Sequence, residues 1–170
     1  MTDHAAWDII RTTVSEAQNY WICTVRPDGR PHAVPVWGVW WRDSVVFSTI
    51  NSSVKAANLR TNSNANVHLE SAQNVVTMDG PAAELTDEAE LIEIGALFDA
   101  KYAEIAGVTY DLVAAHAAGM TICAVRPEVV RAWRADDMLG SSRFTFDVDG
   151  NPVLVRSVPF EAVAEETTSA

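Results

Sequence analysis

The sequence predicts a mainly β, α+β fold: a small barrel of six or seven antiparallel strands with a few flanking helices. Three observations lead there. Runs rich in β-branched and aromatic residues are divided by tight turns at Arg26-Pro27-Asp28-Gly29-Arg30 and Arg42-Asp43-Ser44, and two such turns in succession imply an antiparallel meander. Strand-like runs return in the last third of the chain. Between them, only the stretch from Asp87 to about Ile105 carries a long apolar stripe at helical spacing.

Each element has its own signal. Trp7 to Gln18 reads as a short helix with Ile10 and Val14 on one face. Tyr20–Val25, His32–Trp41 and Val45–Thr49 read as three strands joined by the two turns. Pro31 and Pro35 cannot donate to a ladder, so the second strand is expected at an edge or with a bulge. A helix follows at Val54–Arg60 and stops at Asn62-Ser63-Asn64. Ala65–Ser71 and Asn74–Met78 read as strands four and five, the latter extending past Gly80-Pro81 to Leu85. Thr86-Asp87-Glu88 caps the long helix, whose expected stripe is Leu91, Ile94, Leu97, Phe98 and Tyr102. A shorter helix follows Asp111, then strands at Met120–Val125, Val129–Trp133 and Arg143–Phe146. Ile22–Pro27 echoes Ile122–Pro127, which reads as two strands ending in similar turns.

Composition narrows the function classes. A length of 170 residues fits one domain, taken as 1–156, with a disordered acidic tail over 157–170. No apolar run is long enough for a transmembrane helix, and the N-terminus lacks the layout of a secretion signal. Cys23 and Cys123 stand alone in apolar segments, so reduced thiols in a cytoplasmic protein are expected, with no metal site. His4, His32, His68 and His116 are scattered without metal-ligand spacing, and His68 reads as structural. The net charge is −11. Residues 1–70 hold six basic and six acidic side chains, and residues 71–170 six basic and seventeen acidic. Such a surface repels nucleic acid, while the neutral first half can take a small anion.

The segment Val45–Arg60 carries the clearest chemistry. An apolar strand ends in Ser48 and Thr49, and a helix then starts near Ser53 with Lys55 in its first turn. Free amides and the positive end of a helix dipole favour a phosphate there, with Lys55 as a point charge and the hydroxyls as donors. An ordinary serine-capped surface helix would show the same residues.

The pattern resembles the split β-barrel flavin- and deazaflavin-binding proteins related to pyridoxamine 5'-phosphate oxidase. The resemblance rests on Thr24–His32 and Val34-Pro35-Val36-Trp37. It continues through Val45–Thr49 and Lys55–Asn62 to Arg126–Trp133 and Ser142–Phe146. It implies a homodimer with two cofactor sites at the subunit interface and a small-molecule substrate. Pro35, Val36 and Trp37 are implied near the cofactor ring. Ser48, Thr49, Ser53, Lys55 and Asn58 fall where phosphate-binding residues are expected. Arg60 joins them or is a solvated helix-end charge. Trp133 and Arg143 are implied to reach the partner's site, with a core aromatic the equal reading of Trp133. Substrate is expected beside the ring against Trp37, Trp40 or Trp41, each of which also reads as barrel packing. Val54 stands where an arginine is common in the oxidase proper, and the chain ends acidic, which points away from vitamin B6 oxidation.

In such proteins the cofactor carries the reaction, and no catalytic side chain is implied. Arg-Pro-Asp-Gly-Arg-Pro and Lys-x-x-Asn-Leu-Arg resemble the branch using deazaflavin coenzyme F420. The leading expectation is therefore hydride transfer from reduced F420 to a small conjugated acceptor. An FMN-dependent oxidoreductase of the same fold is the alternative. A non-catalytic flavin, F420 or haem carrier or sensor is the third reading.

Overall fold

A computed structural model describes residues 3–157, with side chains described for 6–136 and 141–155. The chain runs α1 (Asp3–Glu16), β1 (Asn19–Val25), β2 (Pro31–Trp41), β3 (Ser44–Ile50), α2 (Val54–Thr61), β4 (Asn64–Leu69) and β5 (Asn74–Glu84). It continues through α3 (Glu88–Ala106), α4 (Leu112–Ala117), β6 (Met120–Val125), β7 (Val129–Arg134), β8 (Asp137–Phe146) and β9 (Pro152–Ser157). Six strands close into an antiparallel barrel in the order β4-β1-β2-β3-β6-β5, with β5 returning to β4. The last three strands extend outward from β5. No helix among the described residues is long and apolar enough to cross a membrane.

The elements start and stop where their residues dictate. Asp28 accepts from the Arg30 amide at 3.1 Å and Gly29 takes φ +83°, which closes the first hairpin. Ser53, Asp87 and Asp111 cap α2, α3 and α4 through their side-chain oxygens. Gly107, at φ +68°, ends α3. Two departures from the sequence reading have simple causes. Leu97 is 38% exposed, because the buried stripe of α3 runs through Leu91, Ile94, Gly95, Phe98 and Tyr102. Strand β9 was not expected; its signal is Asp149-Gly150, with Gly150 at φ +84° in the turn from β8. The acidic tail expected over 157–170 falls, from residue 158 on, outside the described residues.

Two cores result. Tyr20, Ile22, Val45, Phe47, Val67, Met78, Val125 and Phe144 fill the barrel, and α1 seals one end with Trp7, Ile10 and Val14. Outside the wall, α3 and α4 pack Leu91, Ile94, Phe98, Tyr102 and Leu112 on Val39, Val46, Ile122 and Ala124. Each such side chain contributes about 1.5–3 kcal/mol when fully buried.

The barrel is split because two strands change partner partway. In β2, Pro31–Trp37 pairs with β1 and Gly38–Trp41 with β3. In β5, Asn74–Asp79 pairs with β7 and Ala82–Glu84 with β6. A glycine sits at each change. A Cβ on Gly38 would lie 2.9 Å from the Val46 carbonyl oxygen, and one on Gly80 would overlap the Arg126 carbonyl.

Gly38 is also gripped by α3. Its amide donates to the Tyr102 hydroxyl at 3.0 Å. That hydroxyl lies 2.7 Å from both the Gly38 and Gln18 carbonyls and donates its proton between them. The Lys101 ammonium donates to Gly38 O at 3.0 Å, Tyr20 Oη at 2.9 Å and Ser15 O at 3.1 Å. Three protons meet three neutral oxygens, one of them in the last turn of α1, where the helix dipole favours a cation. Burial pushes Lys101 down to about 8 and the Tyr102 phenol up to about 12.

Two predictions follow from these joints. Gly80→Ala should cost about 3 kcal/mol or more, because backbone and not a flexible side chain blocks the methyl, as denaturant titration will show. For Lys101 the unfolded chain binds the extra proton between about 8 and 10.5. The stability gap between wild type and Lys101→Met should therefore move in favour of wild type as pH rises through that window. A flat or falling gap in pH-dependent melts would contradict this.

Candidate functional site

The fork between β2 and β3 builds the candidate site. Beyond Gly38, Pro31–Trp37 keeps only β1 as a neighbour, while Ser48–Ile50 pairs only with β6. The two prolines therefore lie on a free edge, as their missing N–H groups require. From this opening β3 leads through Asn51–Ser53 into α2.

The start of α2 is ordered from within. Ser53 Oγ accepts from the Ala56 amide at 3.2 Å, and Thr49 Oγ1 donates to Ser53 Oγ at 3.0 Å. Lys55 is the second residue of the helix and half-buried. Burial lowers its pKa, and no carboxylate pairs with it among the described residues. Arg26 Nη2 lies 3.5 Å from His32 Nδ1. Burial, then the charges of Arg26 and Lys55, hold His32 below its ordinary value. Three cationic or cation-forming groups thus repel one another beside a helix N-terminus. A phosphate would neutralise that repulsion, so the donor set fits a phosphate-bearing cofactor.

The expected residues do not all gather here. Thr49, Ser53 and Lys55 meet at the turn from β3 into α2, with Ser48 just before it on the strand. Asn58 is 2% exposed and donates through Nδ2 to Thr24 Oγ1 at 2.9 Å, which straps α2 to β1. Arg60 lies at the far end of α2, donating to Asn51 Oδ1 at 2.7 Å and Asn51 O at 3.2 Å. It borders a separate open recess of about 580 Å³ with Ile50, Ser52 and Gly119. Pro35 is exposed and Val36 packs against the barrel core. Trp37 stacks flat on Tyr102, with ring centres 4.8 Å apart and planes at 4°.

Trp40 and Trp41 both make packing contacts. Trp40 meets Trp7 edge-on at 6.5 Å, roughly 16 Å along the strand from Pro35. Trp41 donates to Glu93 at 3.2 Å, under the Arg42 guanidinium. Trp133 is half-buried on the outer sheet face, paired with Val75 and Ser141, and does not enter the core. Arg143 is exposed on the same face.

Arg26 and His32 are the site residues that the sequence reading missed. Their signal was the first hairpin, because a tight turn brings the flanks of its strands together. The remaining reactive groups are quiet. Burial pushes the Cys123 thiol up to about 11, with the Glu84 charge adding to it. His68 stacks on Trp21, with planes at 8°. Among the described residues no group of three or more His, Cys, Asp or Glu side chains gathers as metal ligands do.

Comparisons with known proteins agree with this architecture. The family model for pyridoxamine 5'-phosphate oxidase matches residues 6–134. No curated protein matches the chain in sequence. Among solved structures, a pyridoxamine 5'-phosphate oxidase-related, FMN-binding protein from Nostoc punctiforme superposes with TM-score 0.57 at 13% identity, covering 91% of this chain and 94% of its own. PhzG from Burkholderia lata, solved with tetrahydrophenazine-1-carboxylic acid, gives 0.58 at 18% identity, covering 90% and 88%. HutZ, a haem storage protein from Vibrio cholerae, gives 0.57 at 19% identity, covering 75% and 92%. At these identities the neighbours share a fold and differ in what they bind. With the family model spanning most of the barrel, the chain belongs to the pyridoxamine 5'-phosphate oxidase family, with its split-barrel fold.

Proposed function

We propose that the protein is an oxidoreductase that binds deazaflavin coenzyme F420 and serves hydride transfer to a small conjugated acceptor. The observation that carries this reading is Lys55: a half-buried cation with no carboxylate partner among the described residues, at a helix start flanked by Arg26 and His32. When bound, the reduced coenzyme supplies the hydride. The chain supplies the rest. Lys55, Arg26 and the first amides of α2 hold phosphate, Thr49 and Ser53 orient the turn, and the free edge of β2 offers backbone groups to the ring. Trp37, fixed against Tyr102, keeps that edge in place.

The preference for F420 rests on the motif resemblance and on the excess of cations at the fork, which suits a cofactor carrying extra carboxylates. FMN is the alternative, supported by the FMN-binding neighbour. A haem or flavin carrier without turnover is the third possibility, in line with the haem storage neighbour. The protein is proposed to act in the cytoplasm, where the free thiols Cys23 and Cys123 remain reduced. It is also proposed to be a homodimer with its cofactor sites at the interface. The outer face of β1, β4, β5, β7 and β8, which carries Trp21, Val25, Val75 and Trp133, supports this, because α3 and α4 cover the other side of the wall.

Parallel titrations of cofactor-free protein with F420 and FMN test the reading. Saturable binding of F420 in preference to FMN is expected, and binding of neither would overturn it. Lys55→Ala should weaken cofactor binding by about 1–3 kcal/mol while leaving the melting temperature nearly unchanged. Because burial lowers the Lys55 pKa from 10.5, wild-type affinity should fall on the alkaline side at lower pH than an ordinary lysine would give. Lys55→Ala should flatten that limb of the titration.

A further inference from the structure

The clamp on Gly38 contains a titratable group outside the phosphate-binding residues. Lys101 is half-buried, and its ammonium points three protons at the Ser15 carbonyl, the Tyr20 hydroxyl and the Gly38 carbonyl. None of the three can change roles. The Tyr20 hydroxyl gives its own proton to the Val14 carbonyl at 2.6 Å, so toward Lys101 it only accepts. The other two are backbone carbonyls. A neutral amine has two protons and a lone pair, so loss of the ammonium proton must break one of the three contacts and set a lone pair against an acceptor.

The Gly38 contact reaches the candidate site. Trp37 ends the segment of β2 that pairs only with β1, and Gly38 begins the segment that pairs with β3. Lys101 and Tyr102 therefore fix the free edge at the end opposite its hairpin. The Lys101 ammonium also stands 5.3 Å from the centre of the Tyr102 ring, and Trp37 lies flat against that same ring at 4.8 Å. A change at the ammonium is thus felt by Trp37 along two routes, the Gly38 peptide and the Tyr102 ring.

We propose that Lys101 and Tyr102 are positioning residues for the free edge of β2, a latch that closes on the Gly38 peptide while the lysine keeps its proton and slackens when it loses it. The latch rests on the cofactor reading only for what the edge receives. The groups facing the ammonium are the Ser15 carbonyl of α1, the Tyr20 phenol of β1, the Gly38 carbonyl of β2 and the Tyr102 ring of α3. Of these only the phenols titrate, and burial raises both, so they stay neutral while the lysine changes state. No carboxylate pairs with Lys101 among the described residues. Burial brings the lysine down to about 8, so the latch is closed below that pH and slack above it.

Fluorine NMR of cofactor-free protein labelled with 5-fluorotryptophan tests the latch, the Trp37 resonance being identified among those of the six tryptophans by its loss in Trp37→Phe. Between about pH 6.5 and about pH 10, the wild-type Trp37 signal should shift with one midpoint at about 8. Lys101→Met should be flat over that range, as should the more polar Lys101→Gln, while Lys55→Ala should titrate as wild type does. A flat wild-type signal, a titration that survives both Lys101 variants, or one that disappears in Lys55→Ala would overturn the latch. Cofactor affinity adds a readout at the site. Wild type should bind F420 about threefold or more tighter than Lys101→Met near pH 7, and the two should converge toward pH 9.5 as the wild-type edge slackens. A ratio independent of pH would overturn the positioning role. A Trp37 titration in protein that binds neither F420 nor FMN would leave the latch standing and sink the cofactor reading.

Discussion

The structure depends on one constraint, the change of partner that β2 makes at Gly38. A strand that pairs with β1 for its first seven residues and with β3 for its last four must leave a fork on each side. Backbone groups at such a point lose regular ladder partners, and buried ones have to be satisfied elsewhere. Tyr102 and Lys101 of α3 provide that, with one hydroxyl and one ammonium closing on the Gly38 peptide. The same two side chains reach Gln18, Ser15 and Tyr20, so one clamp joins α1, β1, β2 and α3. Glycine is needed at the fork because the Val46 carbonyl and the Tyr20 ring come too close for a side chain.

The proposed phosphate cradle follows from the fork. Were β2 paired with β3 along its whole length, its edge would be closed. Because they separate, the edge of β2 opens beside the turn into α2, and the first hairpin brings Arg26 and His32 toward Lys55. Electrostatics and topology therefore act together. The protein is acidic overall, yet it concentrates mutually repelling cations where a helix dipole already favours an anion.

The second partner change, at Gly80, divides the outer surface. One side of the barrel wall lies under α3 and α4. On the other, β5 hands over to β7, and the sheet runs on through β8 and β9. That extension carries Trp133, Arg131 and Arg143, and it joins the barrel only because β5 splits its pairing. The fork beside α2 and the outward run of β7, β8 and β9 are thus products of the same device, used at two corners of one barrel.

Much of this was legible in the sequence. Local chemistry determined the hairpins at Asp28-Gly29 and Arg42-Asp43, the caps at Ser53 and Asp87, the long helix, and Lys55 in the first turn of α2. Each of those signals acts over a few residues. The residues that define the site by contact were decided by tertiary structure alone. Asn58 became a strap to Thr24, 34 positions away, and Arg60 turned to Asn51. Trp40 went to the barrel end, while Trp133 went to the outer face. A strand pattern says that a residue alternates between two faces, but not which neighbour will stand across from it. That choice is made when β2 and β5 change partners, and it depends on contacts between segments far apart in the chain.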